Sequence, residues 1–177
     1  YEKIVDETRW EYLSGILIHH SPESNFHNAI IGFLWARARN TLDPHQFIIR
    51  ASRIAISIGE DKPEPDLMVF DRDLFRKKRR IDNTESEIIE SAPLIVVEVV
   101  SKSSFDVDSQ KKEKYLIKGI KEYWQIFIQN ERPMVILWEI KQGKYESTEY
   151  RQGEIRSRIL PLFACNIEEL TDPDKNR

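Results

Sequence analysis

A single cysteine, Cys165, stands among 177 residues. It has no partner for an internal disulfide and no companions for a cysteine-based metal site, a usage that suits a reducing cytoplasm. Glycine is scarce too, at 6 residues, so extended disorder is expected only at the polar end "TDPDKNR". No apolar run reaches the roughly 18 residues of a membrane-crossing helix. The opening "YEKIVDETRW" lacks the apolar core of a signal peptide, and it begins with Tyr1 rather than methionine. Neither sign of charge dominates. A net charge of −3 argues against indiscriminate polyanion binding and leaves any basic patch a local matter.

What is present is a globular composition, 40% hydrophobic and 32% charged. A chain of this length can bury roughly 70% of its unfolded surface as one domain. Apolar residues Phe26, Ile30, Ile31, Leu34, Trp35 and Ala38 recur at helical spacing after a cap at Ser24 or Asn25, with Asp43-Pro44 as a stop. Strands are expected at Ile16 to His19, within "QFIIRASRIAISIG", at "DLMVFDRD", at 94–100, at "EYWQIFIQ" and at "PMVILWEI". A second helix is expected over "DSQKKEKYLIKGI", capped by Asp106 or Asp108 and ended near Gly119. "KYESTEYRQGEIRSRIL" reads as a more exposed hairpin. This order implies an α/β or α+β domain over 1–171 around one mixed sheet, with a charged excursion at about 72–91 and a polar tail at 172–177.

The run "LIVVEVVSKSS" carries the central oddity. Six of its first seven residues are aliphatic, as in a strand buried on both faces, yet the fifth is Glu98. By period-two alternation Glu98 shares its face with Leu94, Val96 and Val100. A carboxylate there needs a lysine, an arginine or a metal ion as partner. A second acid, Asp66, follows Pro63 and Pro65 at the entry to the strand "DLMVF". Two such carboxylates can converge on Mg²⁺ or Mn²⁺, and a nearby lysine would complete a minimal apparatus for phosphodiester hydrolysis. A structural ion pair at Glu98 and a plain turn at Pro65-Asp66 are the competing readings. Two residues beyond Glu98 stands Val100 rather than lysine, which leaves the following helix, "DSQKKEKYLIKG", as the candidate source of the cation.

With "PEPDLMVF", "LIVVEVVSKSS" and "KKEKYLIKGIKEYWQI" in that order, the chain resembles the PD-(D/E)XK nuclease superfamily. More closely it resembles the Uma-two-type family of restriction-endonuclease-like proteins, common in bacteria. The likeness includes the Glu-x-x-x-Gly opening at Glu11 to Gly15, the Ser-Pro turn, Asn25-Phe26-His27, and Gly119-Ile120-Lys121-Glu122-Tyr123-Trp124. The resemblance implies a restriction-endonuclease-like mixed sheet flanked by helices. It also implies an Mg²⁺- or Mn²⁺-dependent endonuclease with DNA as substrate. Asp66 and Glu98 would be metal ligands with the Val99 backbone carbonyl, and Lys111 would be the helix-borne lysine. Glu11 and His27 are further candidates by the same likeness. Val107 stands where the family carries an aspartate, between Asp106 and Asp108, and a one-residue shift would select Lys112 instead. An inward stripe of Tyr115, Leu116, Gly119 and Ile120 also lies nearer Lys112, but the intact tyrosine-to-glycine-to-tryptophan spacing selects Lys111, with Lys112 second.

Other features have two readings. The cations Arg76, Lys77, Lys78, Arg79 and Arg80 suit DNA phosphates or a solvated loop balanced by "DNTESE". His19 and His20 read as structural or exposed, and the four tryptophans as core or interface. "PMVILWEI" is either a core strand or an exposed edge suited to dimer pairing, and a homodimer fits two-strand cleavage. The alternative to a nuclease is a DNA-binding or interaction module that keeps the fold without chemistry, which Val100 favours.

Overall fold

A computed structural model describes residues 9–20, 23–51, 54–79, 87–100, 105–129 and 132–176. A hairpin of β1 (Arg9–Leu13) and β2 (Ile16–His20) leads into helix α1 (Asn25–Thr41). There follow β3 (Phe47–Ala51), β4 (Ala55–Ile56), β5 (Leu67–Asp71), β6 (Lys77–Arg79), β7 (Glu87–Ile89) and β8 (Ile95–Val100). Helix α2 (Phe105–Lys118) precedes β9 (Glu122–Gln129), β10 (Arg132–Lys141), β11 (Lys144–Tyr150), β12 (Glu154–Arg156) and β13 (Ala164–Asn166).

The central sheet has six strands in the order β11-β10-β9-β8-β5-β3. β8 and β9 run parallel, which requires a crossover, and α2 provides it. All other neighbours in this sheet are antiparallel. This mixed sheet between two helices is the fold expected from the sequence.

Each helix covers one face. α1 starts where the Ser24 hydroxyl accepts the His27 N–H at 3.1 Å, and its stripe of Ile30, Ile31, Phe33, Leu34 and Ala38 packs on Val69, Val97 and Trp124. On the other face Tyr115 and Ile120 pack with Met68, Val96 and Tyr123. Leu94 lies just ahead of β8 and packs with the α1 cluster, not on the face of Glu98 where simple alternation puts it.

The end of α2 depends on Gly119, whose φ of +79° is costly for a residue with a Cβ. The Gly119 N–H reaches the Leu116 carbonyl and the Ile120 N–H the Tyr115 carbonyl, both at 3.0 Å. This paired closure turns the chain straight into β9. α2 begins at Phe105, so Asp106 and Asp108 lie within its first turn instead of capping it.

Three readings left open by the sequence take definite form. β10 lies between β9 and β11, so its edges are taken and it offers no pairing surface. The flanks of the charged excursion form a small sheet, β4-β7-β6, although 80–86 lie outside the described residues. Trp124 is core, but Trp10 and Trp35 are 47% and 42% exposed.

Candidate active site

Antiparallel pairing of β5 with β8 aligns Leu67 with Val97 and Met68 with Val96. Continued by one residue, that register sets Asp66 across from Glu98, both on the face covered by α2. The Asp66 Oδ2 accepts the Val99 N–H at 2.8 Å, while its Oδ1 lies 3.5 Å from His27 Nε2 at the start of α1. On α2, Lys111 and Tyr115 are four residues apart and share a face. Both reach Glu98 Oε1, the ammonium at 3.2 Å and the phenol as a short hydrogen bond. Lys111 Nζ also pairs with Glu11 Oε1 at 2.9 Å, and that oxygen accepts the Glu64 N–H at 2.7 Å. The hairpin, the Pro-rich entry to β5, β8 and both helices therefore meet here.

The charged centre of this cluster is buried. Glu11, Lys111, Asp66 and Glu98 expose 0%, 1%, 2% and 3% of their surface. Burial, reinforced by the Glu98 charge, raises the Tyr115 phenol well above its ordinary range, so it stays a hydrogen-bond donor. Three buried carboxylates, Glu11, Asp66 and Glu98, and one buried ammonium, Lys111, gather in this low-dielectric site. The carboxylate oxygens of Asp66 and Glu98 are hard donors of the type that Mg²⁺ or Mn²⁺ takes. The residues present thus fit such an ion.

Between the two lysines the geometry is clear. Lys111 enters the cluster, whereas Lys112 lies with Nζ 4.3 Å from the Trp138 ring centroid. The inward stripe misleads because Gly119 is exposed in the helix cap and Leu116 is only half-buried, so the buried side centres on Tyr115 and Lys111.

Sequence reasoning passed over Glu23. Among the described residues, Glu23, His27 and Asp66 form a group whose ligand atoms lie within 4.8 Å of one another, and Glu98 is not in it. Asp66 thus stands between two groups of potential ligand side chains. The available signal was the four-residue spacing of Glu23 and His27, which face each other at 3.5 Å. Tyr115 was equally legible as the residue one turn beyond Lys111.

The "EYW" segment has a structural role. Glu122 is fully buried, accepting the Trp124 indole N–H at 2.6 Å and the Arg158 N–H at 2.7 Å, while Trp124 stacks on Phe163. Glu122→Ala should cost about 2–4 kcal/mol in denaturant titration, since two donors lose their acceptor. Burial raises the Glu122 carboxyl from 4.5, so its contribution falls as pH rises above that value and levels off beyond its folded pKa. The gap between wild type and variant should narrow across that window.

Of the basic run, Arg76 is exposed and donates to the carbonyls of Asp73 and Phe75, Lys77–Arg79 form β6, and Arg80 lies outside the described residues. His19 is exposed and its ring lies 4.7 Å from that of Trp10. No helix among the described residues is long and apolar enough to cross a membrane.

Comparison with solved structures finds similarity to a protein described as a "putative nuclease" from Anabaena variabilis. The TM-score is 0.75 at 18% identity, with 93% of this chain and 90% of that one covered. At that identity the likeness establishes the fold. No curated protein matches the chain. The Uma2 family model, described as "Putative restriction endonuclease", matches residues 1–169, and on that extent the chain belongs to the Uma2 family.

Proposed function

We infer that this protein is a nuclease, and more specifically an Mg²⁺- or Mn²⁺-dependent endonuclease that hydrolyses DNA phosphodiesters. The observation that carries the reading is the burial of Asp66, Glu98 and Lys111 in one cluster at the junction of β5, β8 and α2. Family membership and the nuclease named among its structural neighbours support the same class.

Asp66 and Glu98 would hold the ion. A residue's N–H and C=O leave an extended strand on the same side, so the Val99 carbonyl is turned toward Asp66 along with its N–H and offers a third oxygen. His27 and Glu23 offer further ligands beyond Asp66. When bound, a divalent cation polarises the phosphodiester and lowers the pKa of a water molecule. Lys111, desolvated and oriented by Glu11, would stabilise the charge that builds on the phosphate as the P–O bond breaks. Arg76 to Arg80 would add salt-dependent contacts to the DNA backbone. Two copies related by a twofold would cut both strands, and the cytoplasm remains the proposed setting.

One observation favours the non-catalytic reading: Lys111 is already paired with two carboxylates, an arrangement that also serves a structural network. Supercoiled plasmid decides between them. Relaxation or linearisation in Mg²⁺ or Mn²⁺, abolished by EDTA, is the expected result. DNA binding without cleavage in either metal would replace the enzyme with a binding module.

A further inference from the structure

Beside the carboxylates lies a second constellation, on the side of the sheet toward β10. Gln125 is the parallel-strand partner of Glu98 and therefore points to the same face. It is the next side chain along a row that crosses the sheet through Asp66 and Glu98. The Trp138 indole N–H donates to the Gln125 carboxamide at 2.7 Å. An indole N–H can only donate, so the carboxamide oxygen faces Trp138 and the amide nitrogen faces away. That nitrogen has no hydrogen-bond partner among the described residues, yet it is not among the polar atoms sealed from water.

Over the same indole lies Lys112, its ammonium 4.3 Å from the ring centroid. Lys112 is half-buried and has no ion-pair partner among the described residues, unlike Lys111 and Lys114 on the same helix. One tryptophan thus positions an amide donor pair and a cation that has no ion-pair partner among the described residues, one strand away from Glu98. If Trp138 needed only an acceptor, Gln125 would suffice alone, and Lys112 could reach bulk water instead of stacking.

We propose that Gln125 and Lys112, both seated on Trp138, form a phosphate subsite that grips the DNA backbone next to the scissile bond. The inference rests on the nuclease reading for its substrate but concerns different residues, so the two can fail separately. The amide supplies neutral donors and the ammonium supplies charge, the combination that suits a phosphodiester oxygen.

The test measures binding of a short DNA duplex in EDTA, where cleavage and metal affinity play no part. Lys112→Met keeps the aliphatic stem on the indole and removes the charge. It should weaken binding and lower the slope of log K against log salt by about 1. Gln125→Glu keeps the size and the acceptor for Trp138 while placing a negative charge in the subsite, and should weaken binding about tenfold or more. A purely structural role predicts unchanged binding for Gln125→Glu, since the indole hydrogen bond survives. Unchanged affinity and salt slope in both variants, each with the wild-type unfolding midpoint, would overturn the subsite. Wild type that binds but never cleaves in Mg²⁺ or Mn²⁺, with both variants weakened, would keep the subsite and remove the nuclease reading.

Discussion

Lys111→Met should abolish DNA cleavage, by about 10²-fold or more, and should also destabilise the metal-free protein by about 3–5 kcal/mol. Both effects have the same origin. The ammonium is shared by Glu11 at 2.9 Å and Glu98 at 3.2 Å in a site closed to solvent, so its removal leaves two buried carboxylates without their cation. Methionine retains the length and apolar stem of lysine, so packing changes little. The stability loss is read by denaturant titration in EDTA. Adding Glu11→Gln and Glu98→Gln to Lys111→Met should recover most of the stability, because uncharged networks of similar volume are often no less stable than buried ion pairs. It should recover none of the activity. Cleavage at the wild-type rate by Lys111→Met would remove this lysine from the chemistry.

The second large effect belongs to Glu98→Gln, in which activity and folding should separate. Glutamine keeps the side-chain size and an oxygen for the Tyr115 hydroxyl, and Lys111 keeps Glu11, so the fold should lose only about 1 kcal/mol. Cleavage should fall by about 10³-fold or more with the loss of a ligand charge. Metal binding gives an independent readout. Wild type should gain about 2.7 kcal/mol of stability with Mg²⁺ or Mn²⁺ at 100 times its dissociation constant, and Glu98→Gln should lose most of that gain. If the gain persists in Glu98→Gln but vanishes in Asp66→Asn, the ion is held by Glu23, His27 and Asp66 instead.

Much of the fold is legible in local patterns. The 3.6-residue period after Ser24 marks α1, the aliphatic run marks β8, and Gly119 marks the end of α2, because each signal reports a local steric or burial constraint. Less legible are the short strands. β12 and β13 are three residues each and are held by one another, so neither stands out in its own sequence. The edge or interior position of β10 is likewise a property of its neighbours, β9 and β11.

The chemistry divides along the same line. From sequence alone come the identity of the buried acids, since a glutamate in an aliphatic strand and an aspartate behind two prolines are conspicuous wherever they fold, and the need for a cation near them. Which lysine supplies it is settled by three dimensions: helical phase relative to Tyr115 differs by only one residue between Lys111 and Lys112, and only docking of α2 on the sheet separates them. The company of Asp66 is tertiary too. Glu11, Glu23 and His27 come from a hairpin and a helix start that are 55, 43 and 39 residues away in sequence. They are gathered because the two layers of helix and the sheet close on one another at this end of the molecule, where burial brings distant charges into contact.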